Sequence, residues 1–219
     1  MTGFPRSPRL VKGGLVLIDP TTSAVRRVVV LQYNPDSLTR SLQIKAFTSE
    51  SGGARSEALR LTGPPVETIK LDAEIDATDQ LEFPAQNANT VQFGIFPQLA
   101  ALETIVSPTS AQLLANNALA GSGTLEIVPM ETPLTPSVWS KQRILPVRLT
   151  DFSVTEEAFD PALNPIRAKV SLGMRVLTVD DLGFAHKGGS LFMNALQAKE
   201  QLAAKSTGLL NNLGIGSIP

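Results

Sequence analysis

The chain has 219 residues, 19 Lys and Arg against 20 Asp and Glu, no cysteine and only 5% aromatics. Its near-neutral balance gives no global attraction to nucleic acid or anionic membrane, and the missing thiols exclude disulfides, thiolate nucleophiles and thiolate metal sites together. A chain this long buries roughly 70–75% of its unfolded surface and needs no metal or cross-link to fold.

No apolar run approaches the ~20 residues of a membrane span, and the N-terminus, although basic, lacks the apolar stretch of a secretory signal. A soluble, cytoplasmic protein is therefore expected. Residues 1–12 form an extended arm with Arg6, Arg9 and Lys12. Residues 15–19 and 25–33 read as two strands, and the unbroken apolar run 28–31 predicts that the second is covered on both faces. Asn34-Pro35-Asp36 marks a sharp turn, and alternation from Leu38 to Ala46 gives a third strand. Residues 48–65, rich in Ser, Gly and charge, predict a long loop in which residues 58–61 add to a strand. In Val66–Asp76, Ile69, Leu71, Ala73 and Ile75 share one face, with Lys70, Asp72, Glu74 and Asp76 on the other. Those carboxylates admit two readings, a cation site or a solvated face paired with basic neighbours. The second is favoured, because hard cations draw on tight loops rather than straight strands.

The period then changes. Val91, Ile95, Leu99, Leu102 and Val106 recur at helical spacing with Pro97 interrupting, and residues 111–120 give a second short helix. Leu125, Ile127 and Val128 suggest a further strand, residues 129–136 a proline-punctuated link, and Trp139 a packing residue at the start of a long hairpin. That hairpin fills residues 143–178. Ile166, Ala168, Val170, Leu172, Met174 and Val176 alternate with polar or small residues, as on a pleated strand. Val147 and Leu149 hold one phase, Phe152 and Val154 the other, so a bulge or bend is predicted at Thr150-Asp151. Two prolines with Asp160 and Asn164 make residues 159–165 a wide connection.

Residues 184–189 read as a flexible connector, with Ser190 capping a helix to about Lys205. The last fourteen residues carry no charge but five large aliphatics: Leu209, Leu210, Leu213, Ile215 and Ile218. Disordered tails are normally poor in such residues, so these five are expected to contact another subunit.

No catalytic residue, cofactor site or metal site emerges. His186, the single histidine, lies in the connector, where a catalytic base would not be held rigidly. Neither a nucleophile elbow, a zinc-binding helix nor a phosphate loop is present. The neighbours Glu156-Glu157 and Asp180-Asp181 are poorly placed to flank one bond, and strand-end solvation explains them better. Basic residues lack the aromatic interleaving of nucleic-acid readers.

Several phrases resemble the tube-like baseplate proteins of contractile injection systems, the phage-tail-derived machines that drive an inner tube out of a contracting sheath. They are residues 29–38 with Tyr33-Asn34-Pro35, then 63–69, 74–79 and 145–149, and finally Phe159-Asp160-Pro161 with Pro165-Ile166-Arg167-Ala168. The similarity spans about residues 14–180, and the last phrase is its most specific mark. The resemblance implies a mainly β, α+β fold of the phage-tail-tube type. This is a barrel or sandwich over residues 13–180 with a bent long hairpin and a helical insert at about 88–120. A helix and apolar tail would follow over 185–219. It also implies a structural adaptor, assembled in the cytoplasm within an injection particle. The adaptor would form a hexameric ring linking the inner tube or hub and spike to baseplate or sheath proteins, without nucleic acid or membrane insertion. Members often continue into a LysM domain, and residues 185–219 are too short for one. From the residues alone, a stand-alone peptide- or glycan-binding β module is the alternative.

Overall fold

The computed structural model describes residues 10–19, 21–47, 60–121 and 132–218. The expected strand at 125–128, most of the loop at 48–65 and most of the N-terminal arm lie outside them. Seven strands form one sheet in the order β2-β1-β5-β6-β7-β4-β3. They are β1 (Gly14–Ile18), β2 (Val25–Val30), β3 (Leu38–Gln43), β4 (Val66–Asp76), β5 (Thr135–Ser140), β6 (Arg143–Phe159) and β7 (Pro165–Val176). Every neighbouring pair is antiparallel.

The alternation seen in β7 sets the register of the whole sheet. Ala168, Val170, Leu172, Met174 and Val176 are buried, facing Ile69, Leu71, Ala73 and Ile75 of β4 across the ladder. Burying each such aliphatic side chain contributes about 1.5–3 kcal/mol. On the β6 side the register shifts between Leu149 and Asp151, so one residue bulges and Phe152 returns to the core face opposite Leu172. The phase slip at Thr150-Asp151 is that bulge.

The helical insert comprises α1 (Thr78–Leu81), α2 (Ala88–Phe93), α3 (Phe96–Val106) and α4 (Ser110–Gly121). α3 inserts Ile95, Leu99, Leu102 and Ile105 into the core, while Val106 and Val91 stay exposed. The chain breaks before Pro97, at Gly94. Gly94 has φ +58°, and a Cβ there would stand 2.2 Å from the Pro165 carbonyl oxygen, so only glycine lets the two segments meet. Pro97 then sits in the first turn of α3, where its missing N–H costs nothing. α4 buries none of its residues.

Five expectations need correcting. β2 is an edge strand, and Val25, Val28 and Val30 are each more than half exposed rather than covered on both faces. Pro136 lies inside β5, fully buried opposite Pro146, instead of in a link. Residues 187–189 are the first turn of α6 (Lys187–Ala203), not a connector. Its cap is His186, whose Nδ1 accepts from the Gly188 N–H at 3.0 Å, and not Ser190. Asp180 and Asp181 lie in α5 (Val179–Leu182), where Asp181 and Thr178 cap each other's backbone in place of simple strand-end solvation.

The glycine pair in α6 serves close packing. A Cβ at Gly189 would meet the Gly183 carbonyl oxygen at 2.0 Å, and one at Gly188 the Leu182 side chain at 2.4 Å.

Candidate functional site

The residues that carry the resemblance fall into two joints of the fold. Asn34 locks the chain ahead of β1, with its Oδ1 accepting from the Gly13 N–H and its Nδ2 donating to the Val11 carbonyl, both at 2.9 Å. Pro35 is half-buried behind it, while Tyr33 is exposed and its hydroxyl accepts from Gln32 Nε2. The second joint is the tip of the β6–β7 hairpin. Asp160 accepts from the N–H groups of Ala162 and Asn164 and from Asn164 Nδ2, all at 2.8 Å. The Asn164 side chain, followed by these backbone donors, holds the Asp160 carboxyl below its ordinary pKa. Pro161 starts the exposed turn and Phe159 stands half exposed beside it. Buried Pro165 accepts from the Ile95 N–H at 2.8 Å, so the hairpin tip docks on the break between α2 and α3. Ala168 is fully buried. Arg167 donates to Asp76 at 3.0 Å. The Thr78 hydroxyl above all, then its N–H and Arg167, lower the Asp76 pKa despite partial burial. These residues are architectural. They fix a hairpin and a helical insert, and none points to a reacting group.

The broad face built on these joints is polar. Asp151, Ser153 and Thr155 of β6 lie beside Gly173, Ser171 and Lys169 of β7, then Lys70, Asp72 and Glu74 of β4. Opposite charges pair across it: Lys169 with Glu157 at 2.9 Å, Arg167 with Asp76, and Ser171 donating to Asp72 at 2.6 Å. The carboxylates of β4 therefore face cations and a hydroxyl on β7, and among the described residues no group of three metal-ligating side chains gathers.

Among the described residues, neither long side of this ribbon is fully paired. β3 has no described strand beyond it. β5 pairs with β6 only as far as Val147, which leaves β6 unpaired on that side over residues 148–159. The tail residues Leu209, Leu210, Leu213, Ile215 and Ile218 are 39–75% exposed, and none is buried.

Two features were missed in the sequence. Gln32 bridges the end of β2 to β4, donating to the Asp76 carbonyl at 2.6 Å and accepting from the Asp76 N–H at 2.9 Å. Nothing in the local sequence marks it. Glu67 is buried, bonded by Arg40 of β3 at 2.6 Å and Lys199 of α6 at 3.1 Å. A signal was available here, since Glu67 is in phase with Ile69 and Leu71 and so had to face inward. Among the described residues, no helix is long and apolar enough to cross a membrane.

No family model and no curated protein matches the chain. Solved structures do. One is a chain from the tail of an empty GTA particle, refined helically with C6 symmetry. It is 11% identical over 75% of this chain and 90% of that one, with a TM-score of 0.30. Another, from the virion of a native gene transfer agent (GTA) particle, is 10% identical over the same shares, with a TM-score of 0.28. Overlap this slight identifies no function.

Proposed function

We propose that the chain is a structural subunit of a contractile injection system, an adaptor that closes into a ring and joins the inner tube or hub to baseplate or sheath proteins. One observation supports this above the rest: β6-β7-β4-β3 is a ribbon of regular strands, apolar on the core side, polar on the other, and among the described residues unpaired along β3 and along β6 beyond Val147. Such edges are a liability in a lone protein and are managed by covering or pairing them. Here the outer part of β6 and the whole of β3 lie on opposite edges, so a rotated copy can continue the sheet head to tail until the ring closes. The polar face would line the lumen, with its charges largely matched. Six copies, cytoplasmic assembly and the lack of a catalytic role follow the family resemblance described above. The joints at Asn34 and Asp160 fit this role, being devices that stiffen a ribbon and its insert.

Light scattering and negative-stain microscopy of the full chain, alone and mixed with the tube and hub subunits of such a particle, test the reading. Closed rings are expected, and Leu42→Lys on β3 should abolish them while leaving the fold intact. A chain that stays monomeric in both settings, or that turns over a small molecule, contradicts it. Removing residues 207–219 should impair association and leave the monomer's unfolding curve unchanged.

A further inference from the structure

The sheet is curled, and its curl leaves a seam. Leu31, next after β2, and Leu71 of β4 line one small cavity, although their strands sit five places apart in the sheet order. Gln32 spans the opening, bonding both the N–H and the C=O of Asp76. Its amide stands where the peptide group of an intervening strand would stand. A side chain, and not the backbone of residues 31–32, makes these bonds, so the two segments do not pair directly there. Since Asp76 turns its backbone groups to this side, Asp72 and Glu74 do so too by the two-residue repeat, and β3 stops pairing at Leu71. A cavity of about 250 Å³ occupies the seam, bordered by Val28, Val30, Ile75, Ala101 and Leu102, with α3 along its length. Gln98 on α3 also lines it. Its Oε1 is buried without a donor, the only side-chain atom in that state among the described residues. A buried acceptor left unpaired costs about 1–3 kcal/mol, and an incoming N–H would relieve it.

We propose that this seam receives the C-terminal tail, residues 209–218, of a second copy of the chain. The tail supplies what the seam lacks: aliphatic side chains, backbone N–H groups and no charge. Within its own chain it buries none of its aliphatics, which stay 39–75% exposed. Position favours a neighbour's seam over its own. Lys199 of α6 bonds Glu67 at the start of β4, so the tail leaves from that end. The seam lies at the other end of β4 by Glu74 and Ile75, ~23 Å along the strand. A donor at one end and a receiver at the other make a head-to-tail contact, which passes from copy to copy instead of closing on a two-fold pair. This rests on the assembly reading only in that copies must meet.

A fluorescent peptide of residues 206–219, titrated with the full chain, tests the seam without requiring rings. Saturable binding is expected. It should weaken at least tenfold with Val30→Lys or Ala101→Glu in the protein, and with Leu213→Ser and Ile215→Ser together in the peptide. Val30 is exposed on an edge, so its variant should fold, as circular dichroism can verify. No saturable binding, or binding indifferent to both protein variants, overturns the proposal. The absence of native cysteine allows a second test. Chains carrying Leu213→Cys are mixed with chains carrying Ala101→Cys and treated with a short bismaleimide. Cross-linked heterodimers are expected. Cross-linking confined to single chains that carry both cysteines would place the tail in its own seam and overturn the proposal. Rings that form without peptide binding would sink this inference and leave the assembly reading standing, whereas peptide binding without rings would do the reverse.

Discussion

β7 and β2 are both rich in branched aliphatics, yet they end in opposite surroundings. In β7, Val170 is 0% exposed between β6 and β4, whereas Val28 and Val30 of β2 are each 56% exposed on the rim of the sheet. The apolar run at 28–31 has the composition of a strand covered on both faces, yet only Leu31 is buried, and among the described residues none covers Val28 and Val30 beyond half. The difference teaches that burial belongs to neighbours as much as to residues. Where a chain spends such side chains on an edge, along β2, at Leu42 of β3 and in the tail, the covering surface is to be sought in another chain.

The sharpest way to break that contrast is to truncate one residue of each kind. Leu172→Ala in β7 removes a side chain packed on all sides and should cost about 2–5 kcal/mol in urea unfolding. Val30→Ser should stay within about 0.5 kcal/mol in dilute samples and act instead on association. Equal losses would show that β2 is as much core as β7. Next comes Glu67, the one charged residue on the buried face of β4. Glu67→Gln keeps the shape but removes the charge facing Arg40 and Lys199. Both cations are partly exposed and can rehydrate, so a loss of about 1–2 kcal/mol is expected, with α6 loosening first in hydrogen exchange. An unchanged melting curve would mean that α6 is held by packing alone.

At the hairpin tip exposed Leu163 adopts φ +65°, a left-handed conformation that brings its Cβ too close to the following carbonyl oxygen. Leu163→Gly should stabilise the hairpin by about 0.5–1 kcal/mol, read as a raised Tm. A drop would show that the leucine makes contacts that outweigh its backbone.

The smallest effect is one of pH. Asp19, held down to about 2 by the Thr22 N–H and then by Arg26, and Asp76 and Asp160 all have folded pKa values below the ordinary carboxylate value. A depressed folded pKa contributes stability that is present above the unfolded value, ~3.9, and is lost as pH falls through the folded value. The Tm gap between wild type and Asp160→Asn should hold from pH 8 to 5 and narrow as pH falls below the ordinary carboxylate value, ~3.9. A gap that persisted at pH 2 would assign the effect to shape rather than charge.

Much of the ribbon was legible in the sequence because one periodicity governs it. β4 and β7 follow from strict alternation, and the bulge follows from the single phase slip at Thr150. The helical insert was legible as a pair of helices, but the break at Gly94 was not, because its cause is the carbonyl of Pro165, seventy-one residues on. Local rules also misled at residues 187–189. Adjacent glycines suggest flexibility, yet here they let α6 press against the segment after α5, a demand visible only once the two meet. Pro136 reads as a strand breaker until Pro146 faces it in a stretch of ladder where both missing donors fall. The two surfaces proposed for assembly differ in how far the sequence marks them. The tail declared itself by composition, but the seam depends on how far the sheet curls, which no single segment encodes.

Hydrogen–deuterium exchange of the full chain as a function of concentration tests the central claim most directly. If edges pair between copies, amides in β3 and in residues 151–158 of β6 should exchange more slowly as particles form, while those of β7 keep the rate they have in the monomer. Particles that form with both edges exchanging as fast as before would contradict it.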